Sequence, residues 1–185
     1  PITDIGRVAG ISEQLDVAGF NYWSAMWPVH HAAYPSQPMV CTEQGAFRCT
    51  RGCYETEEEK CHLAVTDESF GGYMTGAAQW HACRPEWMSG VHIWTGFDYY
   101  GEPKPYKWPA ISSQPGAMDL CGFPKDPYYY YQSWWTDKDV LHIFPHWNWE
   151  KGTVRDMYVF SNCDEVELAV NGRSLGRKHM EQDGF

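Results

Sequence analysis

The 185-residue sequence has no run of about eighteen apolar residues, the length that a membrane-crossing helix needs. It is short of basic side chains: fourteen Lys and Arg stand against twenty-four Asp and Glu, a formal net charge of −10. A chain of that sign is repelled by phosphate backbones and anionic lipid, so neither nucleic acid nor a membrane is an expected partner. It lacks a disulfide framework, because seven Cys, an odd number, are scattered at 41, 49, 53, 61, 83, 121 and 163. It also lacks an initiator Met and a leader; it opens on Pro1 and reads as cut from something longer. Charged residues are 21% and apolar ones 43%, too little polarity for a disordered chain.

What is abundant is aromatic. Ten Trp and twelve Tyr help bring the aromatic share to 16%. Part of that fills a core. The rest suits a surface on which sugar rings stack, because the axial C–H groups of a pyranose meet a π face well.

The clearest single stretch is Met39 to Gly45, Met-Val-Cys-Thr-Glu-Gln-Gly, an apolar run between Pro38 and Gly45 that ends on the carboxylate of Glu43. A run of that length between breakers reads as a buried strand. An acid at the carboxyl end of a parallel strand sits where barrel folds keep their chemistry. The alternative is a carboxylate that caps the next helix or pairs with Arg48 or Arg51. Before it, Leu15 to Tyr22 reads as a strand ending in Asn21 and Tyr22, and Trp23 to Gln37 as an aromatic, His-rich helix or loop. After it, Ser69 to Trp87 reads as an amphipathic helix, with Phe70, Tyr73, Met74, Ala77, Ala78 and Trp80 on one face, capped by Asp67 or Ser69 and stopped by Pro85. Val91 to Trp94 reads as a third strand, opening into a polar aromatic mouth over 95–103.

Strand, helix, strand at this rhythm predicts βα units and a parallel sheet. All the strand ends then face one side, gathering Asn21, Tyr22, Glu43, Trp94 and Asp98. Phe47 to Asp67, with Cys49, Cys53, Cys61, His62 and the acidic run Glu55 to Glu59, reads as a solvated loop whose spacing does not follow a structural zinc site. His30 and His31 are adjacent, so on a helix they point apart. No metal or cofactor is expected. Lys104 to Pro127 reads as a long loop and Tyr128 to Trp135 as a helix. Beyond Asp137 the pattern turns to short strands over 140–144, 157–160 and 166–170, with turns at Lys151-Gly152 and Asn171-Gly172, the opening of an all-β module.

Here the residues resemble a known family. Ile-Trp-Thr-Gly-Phe-Asp-Tyr-Tyr-Gly-Glu-Pro, within Val91 to Pro103, looks like the last barrel strand of glycoside hydrolase family 2, the β-galactosidase family. Gly116 to Trp135 resembles the segment that follows it there. Leu141 to Trp149 and Val166 to Gly176 resemble the β-sandwich after the barrel. The resemblance implies the last three βα units of a partial (β/α)8 TIM barrel over 1–136, then a truncated immunoglobulin-like sandwich over 137–185. It implies that Glu43 is the catalytic nucleophile, with Tyr22 beside it and Trp94 lining the sugar pocket. Asn21 and Asp98 complete the expected substrate contacts, Asp98 near the rim. Asp98 and Glu102 are the other acids that compete for the nucleophile's role; Glu102 is alternatively a partner of Lys104. The general acid/base lies upstream of Pro1.

The implied activity is hydrolysis of terminal β-galactosides by double displacement. The family also holds β-glucuronidases, which resemble one another in an Asn-x-Lys that grips the uronate. Here the matching stretch is Ser112-Ser113-Gln114-Pro115, which favours a neutral sugar, and Lys104 and Lys107 are distant in sequence. The alternatives are another β-glycosidase of the family or a non-catalytic carbohydrate-binding piece. Whether the full-length enzyme is a homo-oligomer, and in which compartment it acts, stay open. Three of eight strands and a partial sandwich are not expected to fold or hydrolyse alone, with Val17, Ala18, Val40 and Ile93 missing half their core.

Overall fold

The computed structural model describes residues 10–180. The expectations that fall on 1–9 and 181–185 lie outside them. Three strands, β1 (Ala18–Asn21), β2 (Met39–Gln44) and β3 (Met88–Ile93), form a parallel sheet in that order. Ala18 pairs with Met39, Phe20 with Cys41 and Asn21 with Glu43; on the other side Met39 pairs with Met88 and Gln44 with Ile93. Helix α1 (Trp27–Ala33) connects β1 to β2, and α2 (Tyr73–His81) lies between β2 and β3. One side of the sheet is sealed: Ala18, Phe20, Met39 and Cys41 are buried with Trp27, Cys83 and Met88. The other is thinly covered, with Thr42 exposed and Val40 half-buried. The first strand is accordingly shorter than its apolar run; Leu15 and Val17 stay exposed, outside the sheet.

The helix expected over 69–87 is two pieces. A 3-10 turn at Glu68–Phe70 is capped by Asp67, whose carboxylate accepts the Ser69 amide. Gly71, at φ 82, then breaks the chain. α2 starts at Tyr73, with the Glu68 carboxylate taking the free amides of Met74 and Thr75. It stops at His81, short of Pro85. Its inward residues are Gly76 and Ala77, while Met74 and Ala78 are exposed. The face slips because the Phe47 ring occupies the notch over Gly76, where a Cβ would lie 2.6 Å from it.

The loop 47–67 is not simply solvated. Its acidic middle is exposed, around a 3-10 turn at Glu58–Lys60, but Phe47, Cys49, Leu63, Ala64 and Val65 are core. The strand β4 (Tyr99–Tyr100) pairs with β5 (Ser112–Ser113), antiparallel, so the expected long loop over 104–127 is pinned near its start. Helix α3 (Asp126–Trp135) follows.

Four further strands make two antiparallel pairs: β6 (Leu141–Phe144) with β7 (Tyr158–Ser161), and β8 (Glu165–Val170) with β9 (Arg173–His179). Asn171 and Gly172, at φ 50 and 77, form the tight turn of the second pair, as their sequence predicts. α3 joins the two halves. Tyr131 packs on Phe47 at 5.3 Å and Tyr130 on Phe160 at 5.3 Å. Asp126 accepts from His142 at 2.7 Å and from Tyr54 at 3.2 Å.

Gly76→Ala tests the notch. Helix propensity favours alanine by about 1 kcal/mol, whereas overpacking a full core costs about 1–3 kcal/mol. Phe47 is 1% exposed and has nowhere to move, so a lower melting temperature is expected in the full-length protein; a higher one would mean the ring yields. Alkali tests the core. Burial pushes the Cys49 thiol from 9.0 up to about 12 and the Tyr130 phenol from 10.0 up to about 12. The unfolded chain releases these protons first, so their contribution is whole below pH 9 and is lost as pH rises through about 12. Denaturant midpoints that stay flat from pH 8.5 to 11 would contradict this.

Candidate active site

Glu43 lies at the carboxyl end of β2, between the ends of its two neighbours. The backbone fixes it from both sides: the Tyr22 amide donates to the Glu43 carbonyl at 3.1 Å, and the Trp94 amide to the Gln44 carbonyl at 2.8 Å. Its side chain is half-buried, and Oε2 accepts from Asn21 Nδ2 at 3.1 Å. Asn21 is itself oriented by Thr42, whose hydroxyl donates to Asn21 Oδ1 at 2.6 Å. Asn21 and Tyr22 therefore meet Glu43, as their place at the end of a neighbouring strand predicts.

Burial first, then the Glu43 charge and a hydrogen bond to it, push the Tyr22 phenol well above its ordinary range; Arg48 pulls weakly the other way. The proton thus stays on Tyr22, which is left as a donor facing a carboxylate. Tyr22 and Trp23 both have positive φ, 52 and 56, a conformation that is costly for bulky residues and collects at functional sites. It is held by Trp27, whose indole donates to the Tyr22 carbonyl at 2.9 Å. Arg48 donates to the Phe70 carbonyl and Arg51 pairs with Asp119, so the hydrogen bonds these arginines make go elsewhere than to Glu43.

Past Glu43 the chain turns at Gly45, φ 74. Its amide donates to Gln79 Oε1 at 3.0 Å, and its carbonyl accepts the Tyr131 hydroxyl. Neither Gln79 nor Tyr131 was identifiable as a site support from sequence. Their contacts run 34 and 86 residues along the chain, beyond any local pattern.

Trp94 follows β3 and is 36% exposed, its indole edge-on to Tyr99 at 5.8 Å. Asp98, expected near the rim, instead turns its carboxylate inward: the side chain is 8% exposed. Its Oδ1 accepts from Lys125 Nζ at 2.8 Å and from the Gly116 amide at 2.8 Å. Burial raises this carboxyl above its usual value, while Lys125 and Gly116 offset part of the rise. Glu102 takes the Tyr99 hydroxyl at 3.3 Å rather than the Lys104 ammonium. His30 and His31 do point apart, His30 to Gln37 at 2.7 Å and His31 onto Trp87. Cys49 is core, while Cys53 and Cys61 are half-buried.

A half-buried carboxylate at a strand end, held by an amide and facing a protonated phenol beside exposed indoles, is suited to attack on an electrophilic carbon in a ring stacked nearby.

The chain is 43% identical over 190 aligned residues to the Beta-galactosidase BoGH2A of Bacteroides ovatus, a match covering 92% of this chain and 22% of that protein. A Beta-glucuronidase of Formosa agariphila is 35% identical over 75 residues, 40% of this chain and 8% of that protein. Among solved structures, a beta-glycosidase from Bacteroides vulgatus superimposes with a TM-score of 0.77 at 27% identity, over 93% of this chain and 27% of its own. Residues 152–185 match a domain of unknown function, DUF4982. The chain thus spans about a fifth to a quarter of the length of the relatives it matches along most of its own. The shared fold, and 43% identity over 92% of this chain, show that this chain belongs to glycoside hydrolase family 2.

Proposed function

We propose that this chain is part of a retaining glycosidase that cleaves terminal β-galactosides, with Glu43 as the nucleophile. The observation that carries this is the arrangement around Glu43: a carboxylate at a parallel strand end, hydrogen-bonded by Asn21 and faced by the protonated phenol of Tyr22. Glu43 attacks the anomeric carbon as the glycosidic C–O bond breaks. A second carboxylic acid, about 5–5.5 Å away in retaining enzymes, gives its proton to the leaving oxygen and then activates the water that releases the sugar. That second group is expected from residues outside this chain. Tyr22 steadies the charge of Glu43, Asn21 fixes its rotamer, and Trp94 offers a face to the sugar ring.

On the same reading, β1 to β3 are the last three strands of a (β/α)8 barrel over 1–136. The thin cover on one side of the sheet, at Val40 and Thr42, supports strands that expect more barrel opposite them. The two antiparallel pairs over 137–185 are the opening of an immunoglobulin-like sandwich.

The placing of the lysines favours a neutral sugar over a uronate, and Arg48, the cation that bears on Tyr22, donates to the Phe70 carbonyl. Lys104 and Lys107 are exposed, and the one buried lysine nearby, Lys125, is committed to Asp98. A carboxylate taken from water without a cation is costly. β-Glucuronide hydrolysis remains the second reading, favoured by the name of the Formosa relative.

In the full-length protein, Glu43→Gln is expected to remove most turnover while leaving the melting temperature nearly unchanged, and a slow activated substrate to leave a glycosyl ester on Glu43. Mass spectrometry finding that label on Asp98 or Glu102 would overturn the assignment, and unlabelled, fully active Glu43→Gln would favour a binding role. Aryl β-galactoside and aryl β-glucuronide assayed side by side test the sugar. A higher kcat/KM for the galactoside is expected, and the reverse order would overturn the choice of sugar alone.

A further inference from the structure

Lys125 has no role in the chemistry above, yet it is the most completely enclosed charge in the described structure, its side chain 0% exposed. An ammonium carries three donors. Here they meet three acceptors from three separate segments: Asp98 Oδ1 at 2.8 Å, the Cys49 carbonyl at 2.8 Å and the Gln114 carbonyl at 3.1 Å. Cys49 lies past β2, the strand that carries Glu43, Asp98 lies past β3 and Trp94, and Gln114 belongs to the segment lying beside 95–98.

That last contact is a ladder. Thr95 donates to the Pro115 carbonyl, Ala117 to Thr95, Met118 to Gly96 and Asp98 to Met118. The Lys125 amide adds a bond to the Ala117 carbonyl at 3.0 Å. The two segments come so close at Gly116 that a Cβ there would lie 2.2 Å from the Asp98 nitrogen. Trp94 therefore sits between two fixed points. Its amide is bonded to Gln44 on one side, and on the other its chain enters a ladder whose far end is bolted to Lys125.

We infer that the Lys125–Asp98 pair is a positioning device for the sugar-binding face, holding Trp94 at a set distance from Glu43 through the 95–98 ladder. This rests on the reading of Glu43 and Trp94 given above. Lys125 touches no substrate; it acts through the ladder. A pair that served only to stabilise the chain would change the amount of folded protein and leave the kinetics of each folded site intact. A positioning pair alters sugar recognition in every folded molecule.

The test is a cycle of variants of the full-length protein: Lys125→Met, Asp98→Asn, Trp94→Ala and Lys125→Met with Trp94→Ala. Folded active sites are counted with a slow activated substrate, and kcat and KM are measured per active site. Lys125→Met is expected to raise KM about tenfold with a smaller change in kcat, and Asp98→Asn to do the same less strongly. On the Trp94→Ala background the Lys125 change is expected to add little, because its effect passes through the same side chain. Equal effects on both backgrounds, or fewer active sites with normal KM, would overturn the inference. So would loss of folded protein in both Lys125→Met and Asp98→Asn, since the pair would then be a folding element. Glu43→Gln in the same series separates this from a failure of the underlying reading: an active Glu43→Gln sinks that reading, whereas an inactive one with additive Lys125 effects sinks only the positioning role.

Discussion

A buried ammonium has to be given acceptors, and that requirement sets much of this structure. Lys125 draws in the segment after β2, the segment after β3 and the stretch beside it. Its neighbour Asp126 faces the other way and takes His142 and Tyr54. Two consecutive residues at the start of α3 thus hold the mouth of the sheet on one side and the antiparallel strands on the other. Desolvating such a pair costs several kcal/mol per ion, and the three acceptors around Lys125 offset that cost together. The arrangement is therefore hard to loosen piecemeal, which fits loops that present functional side chains.

The aromatic excess has the same logic. Phe47, Tyr130, Tyr131, Phe144 and Phe160 form one buried cluster under α3. Their rings meet edge-on or tilted at about 5 Å, among them Phe47 with Tyr130 and with Tyr131. A core built this way is stiff, and it carries the hydroxyl of Tyr131 to the carbonyl of Gly45, just past Glu43. Other aromatics stay in solvent: Trp23 is 66% exposed, Tyr100 71% and Trp108 84%.

Much of this was legible in the sequence because it is local. Pro38 and Gly45 bound β2, the Asn171-Gly172 turn declares its hairpin, and the order of strands and helices implies a parallel sheet that gathers Asn21, Tyr22, Glu43 and Trp94 at one end. The failures are places where distant residues decide. The helical face of α2 slipped because Phe47 occupies the space over Gly76. Residues 47–67 looked solvated because their acids and cysteines mask Phe47, Leu63 and Val65, which are core. Asp98 looked like a rim residue because nothing near it in sequence announces Lys125, 27 positions on.

The contact between Gly45 and Tyr131 couples their substitution histories. A methyl group at position 45 would lie 2.5 Å from the Tyr131 hydroxyl oxygen, and the backbone there, at φ 74, already disfavours any side chain. Exchanging the glycine alone displaces the hydroxyl that closes the strand; exchanging the tyrosine alone leaves a buried carbonyl short of a donor. Each residue therefore constrains what evolution can do with the other, across 86 positions of chain. The strand end that carries Glu43 is thus tied to a tyrosine on a different element as well as to the chemistry of the carboxylate.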